Sequence, residues 1–212
     1  MPNSSHWIDI SAGLAIGTHR ADSLPLEVIE PCHVDPSIVG DSSELAALAI
    51  TKVVRAANDG KLPLFAATLG MPPWEFITLL DEQSRRLVRF APFQVDLWAE
   101  LLPELFTPLV ELLRDYRSGD DPLNWCVSHA LASACFGRRH LWQDLGLRGR
   151  EDVSRLLSQH FSGLFVRNTQ DLKWKRFLFK ELGERLGHPD LLPPGCNGCD
   201  QMHICFPDKK DS

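Results

Sequence analysis

A chain of 212 residues, 44% hydrophobic and 24% charged, is long enough to bury one hydrophobic core, so one globular domain is expected. A net charge of −6 and a pI near 5.7 supply no cationic footprint for nucleic acid or for an anionic membrane surface. No stretch approaches the roughly 20 apolar residues of a membrane span, and the N-terminus lacks the basic and apolar segments of a secretory signal. A cytoplasmic protein is expected.

Residues 1–40 mix Ser, Pro and Gly with short apolar pieces and no sustained period, which reads as an irregular arm. A helical domain is expected over 41–187. Asp41 can cap its first helix, with Glu44 at the reciprocal third position; Leu45, Leu48, Ala49, Val53 and Ala56 mark one face, and Gly60 ends it. Pro72 and Pro73 open a second helix through Trp74, Ile77, Leu80 and Leu87, because a missing amide costs least in the first turn. From Trp98 to Leu113 leucines recur at helical spacing, and Pro103 and Pro108 should kink this helix or split it.

Pro122 begins a helix carrying Trp125, Cys126, His129, Ala132 and Cys135, which Gly146 or Gly149 separates from a helix around 153–161. In the last helix, Asn168 or Thr169 caps a stripe of Trp174, Phe177, Leu178, Leu182 and Leu186 that Gly187 and Pro189 stop. Alternating β-branched runs are lacking, so the fold expected is all-α, a single-domain helical bundle.

Half of the six cysteines fall in the tail 188–212, where Cys196, Cys199 and Cys205 follow C-x2-C-x5-C in a loop rich in Pro and Gly. Two residues between thiols let a tight turn aim both sulfurs at one centre, and Gly195 and Gly198 permit such turns. Thiolates are soft ligands, and the spacing suits either zinc or an iron–sulfur centre. A thiol oxidoreductase using Cys196 and Cys199 is disfavoured, since the pair lacks a βαβ setting. No phosphate loop, HExxH or GxSxG motif argues for hydrolysis or nucleotide chemistry, so a binding protein and not an enzyme is expected.

Upstream of this tail stand ACFGRRHLWQDLGL (134–147) and VRNTQDLKWKRFLFKEL (166–182). These blocks, in order and ahead of a cysteine cluster, resemble the NifQ family closely over 134–206 and loosely over 41–208. The resemblance implies a small helical cytoplasmic protein that carries a molybdenum–iron–sulfur cluster. It implies molybdate and iron–sulfide as cargo, molybdenum donation for the iron–molybdenum cofactor, and the scaffold proteins of nitrogenase cofactor assembly as partners. A helical interaction protein with a structural zinc is the alternative. The family pattern has four cysteines, C-x4-C-x2-C-x5-C; the last three match Cys196, Cys199 and Cys205, whereas the first falls on Leu191, which cannot ligate.

His203, inside the loop, is the first candidate to complete the ligand set, ahead of His188, Asp190 and Asp200 in the tail and Cys126, His129, Cys135 and His140 in the core. Cys126 and His129, three apart, share a helix face and read as a buried thiol beside a hydrogen-bonded histidine. Lys173, Lys175 and Arg176, close to the tail in sequence, are candidates to stabilise an anionic cluster or molybdate, the alternative being a solvated helix surface. Trp142 and Trp174 read as core anchors before shields of a cluster. Asp144 and Asp171 read as caps before second-layer groups. Cys32 has no assigned role.

Overall fold

The computed structural model describes residues 41–79 and 99–196. The arm 1–40 with Cys32, the cap of Asp41, the positions Leu80, Leu87 and Trp98, and the tail residues Cys199, Asp200, His203 and Cys205 lie outside the described residues. Those described form helices α1 (Asp41–Asn58), α2 (Pro73–Thr78), α3 (Phe106–Asp115), α4 (Pro122–Cys135), α5 (Leu141–Asp144), α6 (Arg150–His160), α7 (Ser162–Arg167) and α8 (Trp174–Leu186), with a 3-10 turn over Leu64–Thr68. No strand occurs among the described residues, so the expected all-α bundle is observed.

Helix α4 is the centre. Asp121 caps it by accepting from the Leu123 amide at 2.8 Å, and Pro122 fills the first position, where no amide partner is required. Apart from His129 and Leu131 its interior is built of Ala, Ser, Cys and Val, small enough for neighbours to approach from every side, and Cys126 through Cys135 are all buried. The 3-10 turn, α1, α3 and α5 pack on it.

This crowding explains where periodicity misjudged α1. Leu45, Ala49 and Val53 are buried as expected, but so are Ala46, Ile50, Val54 and Ala57, while Leu48 is exposed. The helix is covered from the 3-10 turn, α4 and α6 together, so its buried face is broad and rotated from the expected stripe. In the 98–113 segment Pro103 splits the chain: α3 starts at Phe106, whose amide donates to the Pro103 carbonyl at 2.8 Å, and Pro108 sits harmlessly in its first turn.

Neither Asn168 nor Thr169 caps α8. Lys173 occupies that position, and Asn168 closes the preceding loop instead, accepting from the Leu172 amide at 2.9 Å and donating to the Leu172 carbonyl at 3.0 Å. The stripe of α8 holds for Trp174, Phe177, Leu178 and Leu182, with Phe179 added; Leu186 is exposed. Phe65, Phe106, Phe136 and Phe179, from four separate segments, meet with ring centroids 5.2 to 6.1 Å apart. Phe136 thereby fixes the end of α4, where the chain turns toward the site.

Candidate metal centre

The tail leaves α8 through Gly187, whose left-handed conformation (φ 74) lets the His188 amide return to the Gly183 carbonyl at 2.7 Å. Gly183 is required there, since a Cβ on it would stand 2.3 Å from the His188 carbonyl oxygen and 3.0 Å from the Leu191 Cβ. The Leu191 amide donates to the His188 carbonyl at 3.0 Å, and its side chain packs against the core. Leu191, standing where the family pattern has a thiol, is thus an apolar anchor seated over Gly183. Pro193 is buried, and its carbonyl accepts from the Cys196 amide at 3.2 Å through a turn that needs Gly195 at φ 83.

These anchors deliver the half-buried Cys196 to the turn between α4 and α5, where the Cβ direction of Gly195 comes within 3.9 Å of the Arg138 Cα. That turn, Gly137–Arg138–Arg139–His140, is clamped from beneath. The Lys175 ammonium donates to the carbonyls of Gly137 at 3.0 Å and Arg139 at 2.7 Å, and to Asp144 at 2.7 Å. Asp144 also accepts from the backbone amide of Arg139 at 3.1 Å and from its guanidinium at 3.0 Å. The Asp144 side chain is fully buried and that of Lys175 only 12% exposed. A lysine has three donors, and here all three serve the protein. Asp144, read from sequence as a cap, caps nothing; it is the buried hub of the clamp.

Lys173, just ahead of α8, and Arg176, on its first turn, are half-buried and both engaged in further interactions. Lys180 pairs with Glu184 at 2.9 Å on the surface. Arg167 lies 2.7 Å from the buried Glu181, whose carboxylate raises the guanidinium's pKa, and it stacks over Tyr116. Asp171 pairs with Arg150.

The remaining ligand candidates separate by environment. Cys126 and Cys135 are buried core thiols, and burial pushes Cys135 up to about 12, against the opposing pull of the Lys175 ammonium. His129 is buried, with Nδ1 3.0 Å from the Leu69 carbonyl, and its ring lies 4.7 Å from that of Trp125. Desolvation brings its pKa down to about 4 despite that bond, and Nε2 has no partner among the described residues. The expected buried thiol beside a hydrogen-bonded histidine is what the core contains. His188 and Asp190 are exposed, and His140 is half-buried at the start of α5, its amide donating to Gln143. Trp174 is a core anchor whose indole donates to Ser154, and Trp142 packs partly buried against the core.

No group of three His, Cys, Asp or Glu side chains stands ready for a metal among the described residues, and of the tail thiols only Cys196 is described. Sequence reading missed Arg138 and Gly183 and named Asp144 first as a cap. For Arg138 the only local signal was glycine beside paired arginines between two helices.

A family model described as NifQ matches residues 47–207, from inside α1 to beyond Cys205. The protein NifQ of Azotobacter vinelandii is 32% identical over 170 residues, covering 75% of this chain and 87% of its own length. That of Rhodobacter capsulatus is 28% identical over 186 residues, covering 81% and 96% respectively. That of Klebsiella pneumoniae is 31% identical over 81 residues, or 38% of this chain and 48% of its own. No solved structure matches. No described helix is long and apolar enough to cross a membrane. With the family match running through both helical blocks and the cysteine tail, the chain belongs to the NifQ family, and its role lies in nitrogen fixation, in biosynthesis of the nitrogenase cofactor.

Proposed function

We propose that the chain is a carrier that takes up iron, sulfide and molybdenum as cargo through Cys196, Cys199 and Cys205 and donates molybdenum to the assembly of the iron–molybdenum cofactor. It acts in the cytoplasm, where thiolates stay reduced, on the scaffold proteins of that assembly, and catalyses no reaction of its own. The observation that carries this reading is the C-x2-C-x5-C tail inside the family match, with Cys196 held half-buried against the helical body. A thiolate fixed to a rigid frame is a better ligand than one on a free chain, because less ordering is lost when metal binds.

Leu191 leaves the tail with three thiols. Three thiolates can ligate three irons of a cubane, and oxygen or nitrogen donors complete a molybdenum at the remaining corner, with His203 as the proposed protein donor. Anaerobic loading of the full chain with iron, sulfide and molybdate, followed by metal and sulfide analysis, tests the reading. A brown chromophore with iron, sulfide and molybdenum is expected, lost when the three cysteines are replaced by serine. Protein holding zinc alone, with neither chromophore nor sulfide, would instead establish a structural zinc site.

A further inference from the structure

The clamp beneath the α4–α5 turn grips both neighbours of one residue. Lys175 binds the carbonyls of Gly137 and Arg139, and Asp144 binds the Arg139 amide, so the backbone on either side of Arg138 is fixed. Gly137 admits no side chain, since a Cβ there would lie 2.2 Å from an Asp144 oxygen; clamp and turn are fitted to each other. Arg138 itself is exposed, and a Cβ on Gly195, the residue before Cys196, would lie 3.9 Å from its Cα. Its neighbour Arg139 is engaged with Asp144, and elsewhere Arg148 pairs with Asp152, Arg150 with Asp171 and Arg167 with Glu181, while Arg114 lies over the Trp125 ring. The Arg138 guanidinium has no ion pair or hydrogen bond among the described residues, whereas Arg139 and Lys175, the other cations at this turn, are committed to Asp144.

A guanidinium is a planar fork of five donors that matches two oxygens of a tetrahedral oxyanion at once, and it stays charged at any working pH. We propose that Arg138 is the anion-recognition group of the centre, donating to the oxygens of a molybdate-type oxyanion held beside Cys196, with Lys175 and Asp144 as positioning residues. This rests on the carrier reading above and moves anion recognition from the cations of α8 to the turn that faces the tail. Before its molybdenum enters the cluster, the oxyanion is held by charge-assisted hydrogen bonds alone, so sulfate, a tetrahedral dianion of the same geometry, competes for it at that stage.

The test is anaerobic equilibrium dialysis of the full chain, loaded with iron and sulfide, against molybdate, with iron content and thermal melting measured on the same samples. Arg138→Gln is expected to weaken molybdate retention about tenfold or more, the loss of one to two charge-assisted bonds, with iron content and melting temperature unchanged. Arg138→Lys should retain part of the affinity, and sulfate should compete with wild type more effectively than with the glutamine variant. Equal molybdate retention in wild type and Arg138→Gln overturns the assignment while leaving the carrier reading intact. So does a parallel loss of iron, molybdate and melting temperature, which marks a structural role. A wild-type chain that takes up neither iron nor molybdate removes the carrier reading and this inference with it.

Discussion

Replacing Lys175 by methionine separates two roles that the sequence leaves entangled. If the ammonium serves cargo, its loss should empty the site and spare the fold; if it is the clamp, the fold should suffer first. The structure gives the magnitude. Lys175 makes three charge-assisted hydrogen bonds in a setting where its side chain is 12% exposed and its carboxylate partner 0%. Removing one member of a buried ion pair costs on the order of 3–5 kcal/mol, chiefly because the other charge stays buried without its partner. Asp144 keeps the Arg139 guanidinium and amide, which places the expected loss near the lower end, about 3 kcal/mol. At roughly 2–4 °C per kcal/mol for a chain of this size, the midpoint should fall by about 6–12 °C. Chemical denaturation with linear extrapolation measures the free energy, and a thermal scan checks it. A double-mutant cycle with Asp144→Asn should return a coupling of about 1–3 kcal/mol, as for residues in one network. A Lys175→Met protein that melts with wild type yet loses molybdate would refute the clamp and restore Lys175 to the cargo.

Three further outcomes follow from the geometry. Gly183→Ala should destabilise by about 1–3 kcal/mol through overpacking against His188 and Leu191, where a helix-interior alanine elsewhere gains about 1 kcal/mol; urea unfolding reads the sign, and a gain would contradict the close approach of the tail. His129 should make the protein acid-sensitive. Its folded pKa of about 4 lies below the ordinary 6.5, so below pH 6.5 the unfolded chain binds the extra proton and stability falls as pH drops toward 4. Between pH 7.5 and 5 this amounts to about 2 kcal/mol. His129→Asn, which keeps a donor for the Leu69 carbonyl and cannot titrate, should lose that much less over the same interval; an identical decline in both proteins would remove His129 as the cause. In the native metal-free protein Cys126 and Cys135 should resist alkylation, Cys135 because its thiol is buried with a pKa near 12, while Cys196 reacts; mass spectrometry after brief iodoacetamide treatment maps this, and rapid labelling of Cys135 would contradict the packing.

What the sequence revealed and what it hid divide along the distance over which residues interact. Helices α4, α6 and α8 were legible because their signals are local: Pro122 at a first helical position, Gly149 before α6, Gly187 after α8. The 3-10 turn and the short α5 and α7 were not, since four to six residues carry no period. The face of α1 was misjudged at Leu48 because burial there is decided by three neighbours and not by one stripe. In the site, the sequence displayed the cysteine spacing and Leu191 as a departure from the four-cysteine pattern. Its seat over Gly183 was not, nor was the clamp, whose partners Lys175, Asp144 and Gly137 stand 31 and 38 residues apart in sequence. A lysine next to a basic run reads as a surface charge until the fold places a buried carboxylate beneath it.

Molybdenum X-ray absorption on the full chain, loaded anaerobically with iron, sulfide and molybdate, reads out whether the tail thiols hold molybdenum within an iron–sulfur cluster. Sulfur neighbours with an iron shell behind them, both abolished by serine at Cys196, Cys199 and Cys205, are the predicted result. Molybdenum surrounded by oxygen alone, indifferent to those substitutions, would contradict the account.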